Sequence, residues 1–253
     1  FDLDGIFSAS WSPDGNLLAF VGNKVSSSDI YLYDINNRTL KNLTNDIYSD
    51  SEPTWSPDGN TIAYVSSRNK VNKNNVVKNI SIADISSFQT DIYSIDISNN
   101  SLDRITYSNA NENYPVWANT DNVLFYTSDD NGISNLYRHQ MYDGTIESLT
   151  NLLTGLFQIS ISNDDEVMVF AGYSDNGWDI FRLSNPLQIN QVDVIPTQFS
   201  RNIDKDDDAL VDFRRNKSRG KNINRTSSKD YSNYIFAPEY GNYNKNNKSK
   251  EPD

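Results

Sequence analysis

Cysteine is absent from the 253 residues, and histidine occurs once. Disulfides, thiolate chemistry and zinc sites of the cysteine type are therefore excluded. No apolar run approaches the roughly 18 residues that carry a helix across a bilayer, so no membrane insertion is expected within this chain. The first residue is Phe1 rather than methionine, and no basic-then-apolar leader follows it, so the chain reads as a processed or excised piece. Neither a 3.6-residue apolar period nor a G-x-S-x-G nucleophile elbow is found. Basic residues are outnumbered, 22 against 34 acidic ones, giving a formal net charge of −12 and a pI of about 4.5. So acidic a surface speaks against nucleic acid or an anionic membrane as the main partner.

What is present is a repeat. Trp11-Ser12-Pro13-Asp14-Gly15 returns unchanged 44 residues later as Trp55-Ser56-Pro57-Asp58-Gly59. Each copy precedes a short apolar run, residues 17–21 and 61–65, which reads as strand, turn, strand. Pro13 and Pro57 preset φ, Asp14 and Asp58 can bond their own backbone, and Gly15 and Gly59 accept the left-handed conformation of a tight reversal. The motif is turn chemistry, not catalysis.

Two further copies have lost the motif but kept its spacing. Trp117 follows Tyr114-Pro115-Val116 and precedes Val123-Leu124-Phe125-Tyr126, with Ala118-Asn119-Thr120-Asp121 as its decayed turn. Another 44 residues lead to Ile161-Ser162-Asn163-Asp164-Asp165 and then Val167-Met168-Val169-Phe170. Asp121 and Asp165 stand where Gly15 and Gly59 stand, and Asp is among the residues that best tolerate positive φ, so the turn geometry is expected to survive.

Downstream of each anchor comes a third apolar segment: Asp29-Ile30-Tyr31, Asp91-Ile92-Tyr93, Asn135-Leu136-Tyr137 and Asp179-Ile180-Phe181. A fourth, Leu43-Thr44, Ile105-Thr106 and Leu149-Thr150, begins 14 residues after the third, and Val192-Asp193-Val194 lies at about that place in the last unit. The second unit carries an 18-residue insertion. Four short strands repeated every 40–45 residues or so is the period of a β-propeller blade, which buries its faces only against neighbouring blades. Recurrence of Trp11, Trp55 and Trp117 at one strand position predicts packing between blades rather than stacking on a ligand.

W-S-P-D-G, an apolar run ending in Phe or Tyr, D-I-Y and L-T together resemble the WD40-like (PD40) repeat of TolB-type propellers, over residues 7 to about 194. The resemblance implies an all-β propeller of at least four four-stranded blades. Units are expected near 7–46, 51–107, 113–151 and 157–194 within a repeat domain 1–194, followed by a flexible, disordered polar linker or tail over 195–253. It further implies a non-catalytic protein–protein interaction platform in the periplasm or cell envelope. The same repeat occurs in propellers of some serine peptidases and in outer-membrane proteins. The alternative is therefore an accessory propeller of a larger protein whose peptidase or barrel domain lies outside this chain, and a third class is a small-ligand binder using the central channel. TolB-type proteins add an N-terminal α/β domain and a six-bladed ring; neither is evident here, so two or more blades are expected upstream.

The remaining candidates carry less chemistry. The insertion, 69–87, holds Lys70, Lys73, Lys78, Ile80 and Ile82, and long loops on rigid scaffolds often carry recognition. A tolerated surface insertion is the plainer reading. His139 shares its column with Tyr33, Ile95 and Leu183 and is expected as a half-buried strand residue. Asp2 and Asp4 read as a solvated lead-in. From residue 187 onward 12 basic and 10 acidic residues lie in polar runs, and the Asp204–Asp208 stretch lacks the glycine and closing Glu of a calcium loop. The cluster 234–240 resembles the end of a linker to a membrane barrel. No catalytic residue, metal or cofactor is assigned; the partner expected is another protein.

Overall fold

A computed structural model of the chain describes residues 2–24, 27–68, 89–120, 122–198 and 200. The tail 201–253 and the whole of the insertion 69–87 lie outside the described residues. Among the described residues fifteen strands form four antiparallel sheets in strict chain order. Blade one is β1 (Gly5–Trp11), β2 (Leu17–Lys24), β3 (Ser27–Asp34) and β4 (Thr39–Asn42). Blade two is β5 (Asp50–Trp55), β6 (Thr61–Ser66), β7 (Asp91–Asp96) and β8 (Leu102–Arg104). Blade three is β9 (Glu112–Trp117), β10 (Val123–Ser128), β11 (Asn135–Gln140) and β12 (Ile146–Ser148). Blade four has three strands, β13 (Leu156–Ile161), β14 (Val167–Ser174) and β15 (Gly177–Ser184). The architecture is the all-β propeller that the repeat spacing predicts, with the innermost strands β1, β5, β9 and β13 side by side.

The turns show why their sequence recurs. In blade one the Ser12 hydroxyl donates to Asp14 Oδ1 (2.6 Å) and accepts from the Leu17 amide (2.9 Å), while the Gly15 amide donates to the Ser12 carbonyl (2.9 Å). Blade two repeats these contacts through Ser56, Asp58, Gly59 and Thr61. Blade four keeps them without glycine: Val167 donates to Ser162 Oγ at 3.0 Å, and Asp165 takes the left-handed position with φ 58°. Asp165 is also buried, and its carboxylate accepts from the Asn119 and Thr120 amides and the Thr120 hydroxyl (2.6–3.0 Å), which ties the decayed turn of blade three to the turn of blade four.

The Leu-Thr pairs have an equally local cause. Leu43, Ile105 and Leu149 each donate an amide to the carbonyl of Ile30, Ile92 and Leu136, at 2.8 Å in all three blades. The Thr hydroxyls of 44, 106 and 150 accept the amides of those same residues at 2.9–3.0 Å. One apolar–Thr pair therefore closes both backbone groups of one residue on the third strand.

Every innermost strand carries a bulge that the sequence does not advertise. Register shifts leave Ser8–Ala9, Glu52–Pro53, Tyr114–Pro115 and Gln158–Ile159 opposite a single aromatic of the second strand. The first residue of each pair is left-handed, with φ of 43°, 55°, 54° and 55°. None is glycine, so each holds backbone strain of about 1–3 kcal/mol that the flanking sheet must offset. The facing aromatics pair across β2/β3 and their equivalents, Phe20–Tyr31, Tyr64–Tyr93, Tyr126–Tyr137 and Phe170–Phe181, with centroids 5.6–6.3 Å apart.

Cores lie between blades. Ala19, Val21, Ile30 and Leu32 of blade one pack against Trp55, Ile62, Tyr64 and Ile95 of blade two. Ala63, Ile92 and Ile105 meet Trp117, Leu124 and Tyr126 of blade three, and Phe125, Leu136 and Leu149 meet Leu156, Ile159 and Met168 of blade four. Blades two and three thus show a Trp-bearing leading face to the blade before, blade four shows Ile161 at that place, and blades one to three show the Ile30-type trailing face to the blade after.

Among the described residues beyond β15 none forms a fourth strand of blade four. Asn185 is left-handed (φ 50°), Pro186 starts a single 3-10 turn, and the backbone returns to blade three. There the Val192 amide donates to the Ser148 carbonyl (2.9 Å) and Thr197 donates to the Asn131 carbonyl (3.0 Å). Val192, at the place where the spacing suggests an outer strand, lies along β12 instead.

Candidate functional site

The strands bring together a layer of buried polar groups at the end of blades two and three remote from the Trp turns. Asp50 opens β5 opposite Ser66, which in turn pairs with Asp91 at the start of β7. Glu112 opens β9 opposite Ser128, which pairs with Asn135. All six are buried.

Arg68 fills the first half of this layer. Its guanidinium donates to Asp50 Oδ1 (2.6 Å) and Oδ2 (3.0 Å), to Ser66 Oγ (2.7 Å), to Tyr64 Oη (3.1 Å) and to Asp46. The rings of Tyr48, Tyr64 and Tyr93 lie 5.5–5.8 Å from its charged carbon. Burial pushes the Asp50 carboxyl up to about 6, against the pull of Arg68. Burial opposes the charge on Arg68, yet Asp50 and its neighbours hold the guanidinium above its ordinary range. Asp29, Asp46 and Asp50 are spaced closely enough to hold a cation. The charge such a cation would bring is already supplied by Arg68, and the group reads as a structural ion-pair network.

Blade three is less balanced. Ser108 and Ser128 donate to Glu112 Oε1, but Oε2 has no partner among the described residues, nor has Asp91 Oδ2. Asp91 keeps one ion pair, with Arg104 Nη2 at 2.7 Å. Burial, with the nearby Asp91 charge adding to it, pushes Glu112 up to about 7, and burial also raises Asp91. The arrangement sets two carboxyl groups side by side, closed off from solvent. Glu52 completes the acidic set, accepting the Tyr114 amide across the blade boundary at 2.5 Å.

The histidine stands apart from these acids. His139 pairs with Leu124 and Ile146 near the far end of β11, is buried, and has no partner for Nδ1 among the described residues. Burial lowers its pKa. Four residues of strand, about 13 Å, separate it from the Asn135 level of the polar layer. The geometry there offers acid–hydroxyl contacts such as Ser66–Asp50 and Ser108–Glu112 without an imidazole base.

Trp55 is 6% and Trp117 7% exposed, each inserted toward the preceding blade, and Trp55 Nε1 donates to the Ser10 carbonyl (3.0 Å). Trp11 is 58% exposed, because among the described residues no blade covers the leading face of blade one. Ile6 and Phe7 of the same strand are exposed as well. On the trailing face of blade four Ile180 is 82% exposed, where Ile30, Ile92 and Leu136 are at 0%. Pro13, Asp14 and Gly15, like Pro57, Asp58 and Gly59, sit in their turns. Lys70, Lys73, Lys78, Ile80 and Ile82 lie outside the described residues. The rims of their segment are described: Tyr93 Oη donates to the Arg68 carbonyl (2.6 Å), and Gln89 Nε2 donates to the Ser108 carbonyl (2.8 Å). Sequence reasoning missed Arg68, Glu112 and Asp91 as buried charges; the one available signal was that Glu112 opens its strand as Asp50 does and that Asp91 recurs in the column of Asp29.

Four sheets of this kind, joined through apolar faces that carry Trp55 and Trp117 at two of the three junctions, define a β-propeller repeat protein. The repeats are TolB-like: residues 3–78 match the family model described as TolB beta propeller domain. Among solved structures, TolB from Acinetobacter baumannii superposes with a TM-score of 0.56 at 20% identity, covering 72% of this chain and 41% of that one. A protein described as TolB from Agrobacterium tumefaciens gives 0.58 at 20% identity, over 70% and 60% of the two chains. A puromycin-hydrolyzing peptidase from Mycobacterium tuberculosis gives 0.52 at 13% identity, over 74% and 31%. The chain thus spans about two-fifths and three-fifths of the two TolB structures, and at these identities the likeness establishes the fold alone. No curated protein matches the sequence.

Proposed function

We propose that the chain is a non-catalytic protein–protein interaction platform of the bacterial cell envelope. The observation that carries this reading is the exposure of three large apolar side chains on the first strand of blade one, Ile6, Phe7 and Trp11. Exposed large apolar side chains gathered on one strand mark contact with another polypeptide. The net charge of −12 favours a partner whose contact rim is basic and disfavours nucleic acid. The separation of His139 from the buried acids supports a role without catalysis, and the TolB domain match supports an envelope location.

The reading is tested by cross-linking the purified chain to an envelope extract and comparing wild type with Phe7→Ser and Trp11→Ser. A protein retained by wild type and lost with both variants, at unchanged melting temperature, is expected. Equal retention by the variants, or turnover of fluorogenic aminoacyl and peptidyl substrates, overturns it. A second reading, an accessory propeller within a larger protein bearing a peptidase or barrel domain, is favoured by one feature. Trp11 and Ile180 are bare at the two faces that internal blades use to pack on each other. The full reading frame separates the two: a downstream G-x-S-x-G domain or a series of alternating strands of about 10 residues supports the second.

A further inference from the structure

Among the described residues blade four ends one strand short, and the other three blades specify what would complete it. At each of them the outer strand meets the third strand through the same two contacts. The amide of an apolar residue reaches the carbonyl of Ile30, Ile92 or Leu136, and the amides of those residues reach the following Thr hydroxyl. The apolar residue also joins the core between blades: Leu43 packs beside Ile30, Ile105 beside Ile92 and Leu149 beside Leu136. The Thr hydroxyl donates onward to Asp29 Oδ1 (3.3 Å) in blade one and to Asn135 Oδ1 (3.1 Å) in blade three.

Blade four keeps the receiving half of this device. Asp179 occupies the Asp29 and Asn135 position, and Ile180 pairs with Ala171 of β14 as Ile30 pairs with Val21 of β2. Among the described residues no strand pairs with the outer edge of β15, and Ile180 and Trp178 are 82% and 65% exposed. The segment that follows β15 is held elsewhere: Arg138 Nη1 donates to the Leu187 carbonyl (2.7 Å), and Ser148 Oγ to the Val192 carbonyl (2.5 Å). Beyond Thr197 the sequence has one threonine, Thr226, and the residue before it is Arg225, not an apolar one. The apolar–Thr pairs that close blades one to three are already used there, so a second copy could lend one only by dismantling its own blade.

We propose that the outer edge of β15 is a docking site for an extended segment of another polypeptide carrying an apolar-x-x-apolar-Thr pattern, which adds antiparallel to β15 as its fourth strand. The second apolar residue covers Ile180 and donates to its carbonyl, and the threonine accepts the Ile180 amide and donates to Asp179. Main-chain pairing gives affinity, and the apolar–Thr pair gives register. The inference rests on the platform reading only in taking a polypeptide as ligand, and it concerns a different surface from Trp11.

The test uses the full chain and a blocked peptide with the sequence of residues 39–44, Thr-Leu-Lys-Asn-Leu-Thr, followed by hydrogen exchange. Rapid exchange of the Ile180 amide in the free protein, and saturable protection of it by the peptide, are expected. Replacing the final threonine of the peptide by valine removes both the bond from the Ile180 amide and the bond to Asp179, and weakens binding by at least about three- to tenfold, the worth of one neutral hydrogen bond. Ile180→Lys, at an exposed position, abolishes the protection while leaving the melting temperature unchanged. Protection of Ile180 in the free chain, a dimer that protects it, absence of protection at saturating peptide, or equal binding of the valine peptide overturns the proposal. Loss of partner capture by Trp11→Ser bears on the platform reading alone.

Discussion

Trp11 and Trp55 occupy identical pentapeptides, so replacing each by alanine isolates what the neighbouring blade contributes. Trp55→Ala removes a side chain that is 6% exposed and packed among Ala19, Val21, Ile30 and Leu32, along with its bond to the Ser10 carbonyl. A buried Trp-to-Ala change costs about 3–5 kcal/mol. A domain of this size loses about 2–4 °C per kcal/mol, so a cost near 4 kcal/mol lowers the melting temperature by about 8–16 °C. Trp11→Ala, at 58% exposure, is expected to cost less than about 1 kcal/mol, or a few degrees at most. The measurement is thermal unfolding of both variants by circular dichroism at one protein concentration. If Trp11→Ala falls as far as Trp55→Ala, the leading face of blade one is covered in solution. A negligible effect of Trp55→Ala would mean that the blades do not depend on that wedge; either result refutes the reasoning.

Three further expectations concern the buried polar groups. Asp165→Ala removes the acceptor shared by Asn119 and Thr120 and leaves a β-carbon in a left-handed site, a loss of about 2–4 kcal/mol readable from urea midpoints; Asp165→Asn should lose less. Glu112 has a folded-state pKa of about 7, above its unfolded value, so the native state binds the extra proton. Stability is therefore expected to fall as pH rises from about 4.5 to 7, and Glu112→Gln should flatten that slope between midpoints taken at pH 5 and pH 8. An unchanged slope would place the proton elsewhere. Arg68→Met strips the counter-charge from Asp50 and Asp46 and should cost about 3–5 kcal/mol, with Asp50→Asn restoring part of it in a double-mutant cycle.

The strands and turns were legible because their causes are local. Ser12, Pro13, Asp14 and Gly15 make a turn from their own atoms, and Asp165 could be read as a glycine substitute from its column alone. What Asp165 does for Asn119 was not legible, since that contact joins residues 46 apart in different units. The left-handed Glu52 and Tyr114 were hidden because neither is a residue that signals positive φ; the sheet imposes the bulge. Glu112 and Asp91 look like surface charges in alternating strands and became buried acids only through blade stacking. Val192 sits at the spacing of an outer strand, but Asn185 and Pro186 turn the backbone before it can align with β15. The Leu-Thr pairs were visible as a recurrence, and their work, closing both polar groups of one neighbouring residue, needed the third strand in place.

The anchoring of Arg68 by Tyr93 and of Gln89 by Ser108 has an engineering consequence. Arg68 and Gln89, which flank residues 69–88, are each tied to the scaffold by a hydrogen bond of their own. A foreign segment could be spliced between them, and each doubling of its length should cost only about 0.6 kcal/mol of closure entropy. Strands β6 and β7 on either side would stay paired whatever cargo the splice displays.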